Sequence, residues 1–208
     1  ILSMIERFEA FALSLEETQL WTILASASDL AFAARAQYMA DPDFVNTPGV
    51  ALLDPQYIAE RAALIHTDKP IENARPGIPP NWTGPLYDAD IRIEKPGTSH
   101  ISVVDGEGNI VSMTTSINTA FGSRLMVDGY LLNNHLLDFA FDPIGEDRNF
   151  KANILEPGKR PRSSMATTIV FDDEGLHVLI VGSSGGSRII GYVLQDFLAV
   201  LGWEMELD

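Results

Sequence analysis

The chain has 208 residues, 46% of them apolar and 21% charged, with a formal net charge of -15 and no cysteine. That length suits one domain or two small ones with ample material for a core. The acidity argues against a nucleic-acid partner, and the missing thiols exclude disulfides and cysteine-based metal sites. No stretch reaches the roughly 18 apolar residues of a membrane span. The start, Ile1-Leu2-Ser3-Met4-Ile5-Glu6-Arg7, has no basic leader and no initiator methionine, so it is read as the edge of a fragment or processed product, not as a secretory signal.

The first third has helical periodicity. Apolar residues on most faces from Ile1 to about Leu13 predict a buried helix. Ser14-Leu15-Glu16-Glu17 has the spacing of a capping box, and behind it Leu20, Ile23, Leu24, Ala27, Ala31, Ala34 and Tyr38 predict a helix to about Met39, stopped by Asp41-Pro42-Asp43. Asp54-Pro55 opens another helix with Ile58, Ala62 and Ile65 as its apolar stripe. From Thr67 to Gly97 the periodicity stops and prolines accumulate at 70, 76, 79, 80, 85 and 96, which reads as a surface connection open to cleavage.

Strand patterns follow. Thr98–Val104 and Ile110–Ile117 flank Asp105-Gly106-Glu107-Gly108-Asn109, a hairpin turn that lacks the residue order of a calcium loop. A short strand is expected at Gly129–Asn133, and a second hairpin joins Ala166–Phe171 to Leu176–Val181. Gly185 to about Leu201 reads as a helix with Ile189, Ile190, Val193, Leu194 and Leu198 inward. Helices, loop, hairpins and helix in that order define an α+β fold.

Thr98, at the head of its strand behind Lys95-Pro96-Gly97, carries the sharpest chemistry. Cutting the Gly97–Thr98 bond would give it a free amine beside its own hydroxyl, a base and a nucleophile on one residue. Four polar clusters follow: Ser116-Ile117-Asn118, Asn133-Asn134-His135-Leu136-Leu137-Asp138, Arg162-Ser163-Ser164-Met165 and Gly182-Ser183-Ser184-Gly185-Gly186-Ser187-Arg188. The Asn118 amide suits substrate positioning, Asp138 suits a cationic amine, and Ser163 and Ser164 offer two hydroxyls. The glycine-rich run joins strand to helix, where backbone N–H groups favour developing negative charge.

Together, "TSHISVVD", "SINTAFG", "LLNNHLLDF", "RPRSSM" and "VGSSGGSR" resemble the γ-glutamyltransferase family of N-terminal-nucleophile hydrolases, and "LAFAARAQYMADPDF" and "LLDPQYIAERAALI" resemble the end of its large subunit. The resemblance implies a partial αββα sandwich. Residues 1–97 would end the large-subunit region and 98–208 would begin the catalytic small-subunit region, together forming one structural domain. It also implies a precursor that cleaves itself before Thr98, then a γ-glutamyl-enzyme resolved by water or an acceptor amine, with glutathione-like donors and no metal or organic cofactor. Thr98 would be the nucleophile and Ser116 the support for its hydroxyl and amine. Asn118, His135 and Asp138 would hold the substrate's α-amino end, Ser163 and Ser164 its α-carboxylate, and Gly185 and Gly186 the oxyanion. The remaining large- and small-subunit segments would be partners, in a periplasmic or secreted setting.

Some positions depart from the family pattern. His135 stands where glutamine or glutamate is common; a neutral imidazole accepts a hydrogen bond, whereas a protonated one repels an ammonium. Thr167 and Ser184 replace usual prolines. The family's carboxylate-binding arginine would lie upstream of Ile1, and its small subunit would run beyond Asp208. Three alternatives stand beside this reading. One is an acylase acting on β-lactam side chains through the same nucleophile; another is an uncleaved relative serving as a structural or interaction module. The third is a serine hydrolase built on Gly182-x-Ser184-x-Gly186, a pattern with no histidine after it to complete that triad order. His66, His100, His135 and His177 show no metal-ligand spacing.

Overall fold

The computed structural model describes residues 1–92 and 97–206, so the Lys95-Pro96 part of the proline-rich connection lies outside the described residues. The chain divides into two compact units: Ile1–Ile91 with Phe139–Arg162, and Arg92–Asp138 with Ser163–Asp208.

The first unit is built on helices. The expected first helix is a single turn, α1 (Leu2–Ile5), followed by 3₁₀ turns at Glu6–Phe8 and Ala10–Ala12. Glu9 interrupts the run by taking a left-handed conformation, φ 50°, which no α-helix accommodates. Met4, Ile5 and Ala10 are still buried. The Ser14 box is only half formed: Glu17 Oε1 accepts from Ser14 N–H at 2.7 Å, but Ser14 Oγ accepts from Glu16 N–H and α2 begins at Thr18. α2 (Thr18–Tyr38) buries Leu20, Ile23, Leu24, Ala27, Leu30, Ala34 and Tyr38. Each large apolar side chain there contributes about 1.5–3 kcal/mol of transfer free energy. α3 (Pro55–Ala62) starts as expected, with Asp54 Oδ1 accepting from Gln56 N–H at 2.8 Å and Tyr57 N–H at 3.3 Å.

Through residue 91 the proline-rich connection is tied down rather than loosely threaded. Tyr38 donates its hydroxyl to the Gly77 carbonyl at 2.9 Å and meets Trp82 edge to face, Ile71 N–H bonds Ser26 Oγ, and Asp90 N–H bonds the Ala36 carbonyl. Asp90 also accepts from Asn153 Nδ2 at 3.1 Å and pairs with Arg162, all three being buried. A polar residue buried this deeply holds its place through such bonds.

The described residues of the second unit hold three antiparallel hairpins and a helix. β1 (Thr98–Val104) pairs with β2 (Ile110–Ser116) in a register that sets Thr98 opposite Ser116, His100 opposite Thr114 and Ser102 opposite Ser112. Alternation puts all six on one face of the hairpin. Asp105 holds the turn, its Oδ1 accepting from Glu107 N–H at 2.8 Å and Asn109 N–H at 2.9 Å. β3 (Met126–Val127) and β4 (Tyr130–Leu131) close around Asp128 and Gly129, with φ of 48° and 85°. Gly129 is therefore a turn residue and not the first residue of a strand. β5 (Thr168–Phe171) and β6 (His177–Val181) are slightly shorter than expected. α4 (Ile189–Phe197) packs Ile189 and Val193 against Leu179 and Val181 of β6. The helix expected from Gly185 begins instead with a 3₁₀ turn, Gly186–Arg188, and widens into a π-turn over Leu198–Gly202.

Candidate active site

β1 begins at Thr98, and the hairpin register places Ser116 across from it. Thr98 Oγ1 donates to Ser116 Oγ at 3.2 Å. Ser116 Oγ in turn donates to the carbonyl oxygen of Gly97 at 3.3 Å and accepts from Asn118 N–H at 2.8 Å. One serine hydroxyl thus joins the threonine hydroxyl to the carbonyl of the peptide bond that precedes it. A donor on that oxygen draws electron density from the carbonyl carbon and favours nucleophilic addition. Gly97 is needed here for space: a Cβ would collide with the Asn118 carbonyl oxygen.

Just past β2 the backbone turns through Asn118, at φ 76° in the left-handed region that asparagine tolerates better than most residues. Asn118 is buried, and its Nδ2 donates to Asp138 Oδ1 at 2.9 Å and to the Asn134 carbonyl at 3.3 Å. Asp138 closes a 3₁₀ turn, His135–Asp138. The Arg92 guanidinium clasps the end of that turn, donating from Nη1 to the Leu137 carbonyl and from Nη2 to the Asp138 carbonyl, both at 3.2 Å. Thr98, Ser116, Asn118 and Asp138 therefore form one continuous hydrogen-bonded path.

The glycine-rich segment approaches β1 through Gly182, where an added Cβ would run into the His100 imidazole. That ring bonds Thr114 Oγ1 through Nδ1 at 2.8 Å and Ser102 Oγ through Nε2 at 3.0 Å. Beyond Gly182, Gly185 and Gly186 take φ of 134° and 60°, conformations suited to glycine. Gly185 also lies beneath Tyr192, with 2.7 Å between its ideal Cβ position and that ring.

Ser163 and Ser164 open the second segment of this unit. Ser163 is exposed and accepts from Met165 N–H at 3.1 Å, whereas Ser164 is buried. His135 opens the 3₁₀ turn that Asp138 closes, and its backbone N–H donates to Asn133 Oδ1 at 3.0 Å. Sequence reasoning gave no role to Asn134 or Arg92. The doubled asparagine after β4 was a visible signal for the first; the second bonds residues 45 and 46 positions away, beyond any local pattern.

The described residues hold no group of three or more histidine, cysteine, aspartate or glutamate side chains able to bind a metal ion. No helix among them is long and apolar enough to cross a membrane.

A threonine-headed hairpin and a glycine-rich strand-to-helix junction meet where Gly182 approaches the His100 ring. The fold matches the cephalosporin acylase of Bacillus halodurans with a TM-score of 0.74, over 98% of this chain and 34% of that one, at 21% identity. This is the α+β fold of the N-terminal-nucleophile hydrolases, of which the chain carries a part. The gamma-glutamyltranspeptidase family model matches residues 1–208, and the chain belongs to that family. It is 40% identical to the glutathione hydrolase proenzyme of Bacillus subtilis (strain 168), aligned over all of this chain and 36% of that protein. The acylase ACY 1 proenzyme of Pseudomonas sp. (strain SE83) is 33% identical over all of this chain and 34% of its own length. The chain thus spans about a third of the length of these curated relatives.

Proposed function

We propose that this chain is the self-cleaving core of a γ-glutamyltransferase or glutathione hydrolase, with residues 1–97 ending the large-subunit region and 98–208 beginning the small-subunit region. The observation that carries the reading is the Ser116 hydroxyl, which bonds both Thr98 Oγ1 and the Gly97 carbonyl oxygen. In the uncut chain Thr98 Oγ adds to the Gly97 carbonyl carbon. Its proton passes to Ser116 Oγ as the Ser116 proton moves to the carbonyl oxygen. Collapse of the adduct re-forms the carbonyl and breaks the C–N bond, the proton on the adduct oxygen passing to the Thr98 nitrogen. Water then hydrolyses the resulting Gly97 ester, leaving Thr98 with a free amine and a free hydroxyl.

In turnover that amine is the base: an α-amino group titrates at about 7.7–8.0 in unperturbed peptides, so it accepts a proton near neutrality. Thr98 Oγ attacks the donor's γ-carbonyl carbon, the amine takes the hydroxyl proton, and the same proton goes to the departing nitrogen. Water or an acceptor amine then releases the acyl group. Gly185 and Gly186 supply N–H groups to the oxyanion, Ser163 and Ser164 bind the α-carboxylate, and Asn118, Asp138 and His135 meet the α-amine. The Asn118–Asp138 bond supports this assignment, since a carboxylate beside an amide oxygen suits an ammonium. The same pair favours γ-glutamyl donors over the amine-free acyl groups that an acylase could take.

The test is expression of the full-length parent, with mass spectrometry and a γ-glutamyl anilide assay. Two fragments that meet at Gly97–Thr98, together with turnover, are expected, and both should vanish in Thr98→Ala. Cleavage that persists in Thr98→Ala would overturn the assignment.

A further inference from the structure

We propose that Asn134 is a positioning residue that fixes the site's preference for donors with an α-amine; this rests on the functional reading above. The Asn118 amide has two N–H bonds, and both are committed, one to Asp138 Oδ1 at 2.9 Å and one to the Asn134 carbonyl at 3.3 Å. Both partners are acceptors, so the amide is held in a single orientation with Oδ1 as its remaining polar face. An oxygen acceptor beside a carboxylate recognises a cation and offers nothing to an uncharged methylene.

That orientation depends on where the Asn134 carbonyl sits, and the Asn134 side chain anchors it. Asn134 Oδ1 accepts from Thr119 N–H at 3.3 Å, and Asn134 Nδ2 donates to Thr119 Oγ1 at 3.1 Å. Thr119 Oγ1 has two acceptors in reach, the Gly122 carbonyl at 3.1 Å and Asn134 Oδ1 at 3.4 Å; with its proton on the nearer one, it accepts from Asn134 Nδ2. The Asn134 backbone N–H reaches the Ile117 carbonyl at 3.3 Å, and its carbonyl also receives Leu137 N–H at 3.0 Å. Asn134 therefore staples the turn that carries Asn118 to the turn that ends in Asp138. It touches neither Thr98 nor Ser116 in this network, so its influence falls on recognition and not on bond making.

The experiment uses the full-length parent with Asn134→Asp and Asn134→Ala. Asp keeps an acceptor for Thr119 N–H and removes the donor to Thr119 Oγ1; Ala removes both. Steady-state kinetics are measured with a γ-glutamyl anilide and with the glutaryl anilide, which differs only in lacking the α-amine. Losing one or two such bonds raises the γ-glutamyl KM by about tenfold, more for Ala than for Asp. The kcat, the cleavage before Thr98 and the glutaryl kinetics should stay within about twofold, the scatter expected of a group outside bond making. If the wild type does not take the glutaryl anilide, the split between KM and kcat on the γ-glutamyl donor decides. If Asn134→Ala fails to fold, Asn134→Asp carries the test. An unchanged KM, or equal losses in KM and kcat on the donors that are turned over, overturns this inference alone. A wild type that cuts itself yet accepts neither donor overturns the functional reading and this inference with it.

Discussion

Ser116 Oγ donates a 3.3 Å hydrogen bond to the carbonyl oxygen of Gly97 while accepting one from Thr98 Oγ1 at 3.2 Å. The hairpin register produces this relationship, because Thr98 and Ser116 are cross-strand partners on one face. Removing the hydroxyl takes away both the route for the proton and the donor on the carbonyl oxygen. Ser116→Ala should slow chain cleavage by about a hundredfold, the usual scale for loss of one such donor. Ser116→Thr, which keeps the hydroxyl, should cleave nearly as the wild type does. Band intensities on denaturing gels, followed over hours after purification, measure both rates. Equal rates in the wild type and Ser116→Ala would remove Ser116 from the mechanism.

Asp138 offers a second test, separate from cleavage. It accepts from the Asn118 amide, and Arg92 steadies its carbonyl. Asp138→Asn keeps the shape and discards the charge, so an ammonium loses its counterion. The KM for a γ-glutamyl anilide should rise about tenfold to a hundredfold, matching a charge-assisted bond worth about 1.5–3 kcal/mol. Self-cleavage should continue, because Ser116 bonds the Asn118 backbone and not its side chain. A Michaelis constant that stays put would place amine recognition elsewhere.

The first unit has its own pH-dependent element. The Arg160 guanidinium and backbone N–H bond the Asp41 carboxylate at 2.7–3.0 Å, and the Asp41 side chain is 1% exposed. Those side-chain bonds, joined by the Arg160 backbone bond, hold the Asp41 carboxyl well below the usual carboxylate range. A carboxyl depressed on folding adds stability that is full above its unfolded pKa, about 3.9, and is lost as pH falls toward the folded value. Arg160→Leu should therefore lower the denaturant midpoint at pH 7. Its deficit against the wild type should shrink as the pH is taken from about 5 to 2. A deficit independent of pH would mean that packing, not the ion pair, is what the substitution removed.

Much of the candidate site's hydrogen-bonded path runs through residues that the sequence singled out, because their signals are local. Thr98 at a strand head, Asn118 just past the next strand and Asp138 at the end of a polar run each carry a signal in neighbouring residues. The helix expected to open at Asp54-Pro55 does so, for the same reason. What escaped depends on distant partners. Asp41 read as a helix stop, yet its carboxylate serves Arg160, 119 residues away. The first thirteen residues had enough apolar character for a helix, but the left-handed Glu9 breaks them into short turns. The demand on Gly97 also escaped local pattern, because it comes from clearance beneath the Asn118 backbone, 21 residues on.

Asn118 faces two ways: its main-chain N–H steadies Ser116, and its side-chain amide meets Asp138. On the proposed mechanism, maturation and donor choice share a hinge only one residue wide. A protein engineer who broadens the acyl range by moving the Asn118 main-chain N–H away from Ser116 should find the unprocessed precursor accumulating beside the new activity. Variants that alter the far side of the amine pocket escape that linkage.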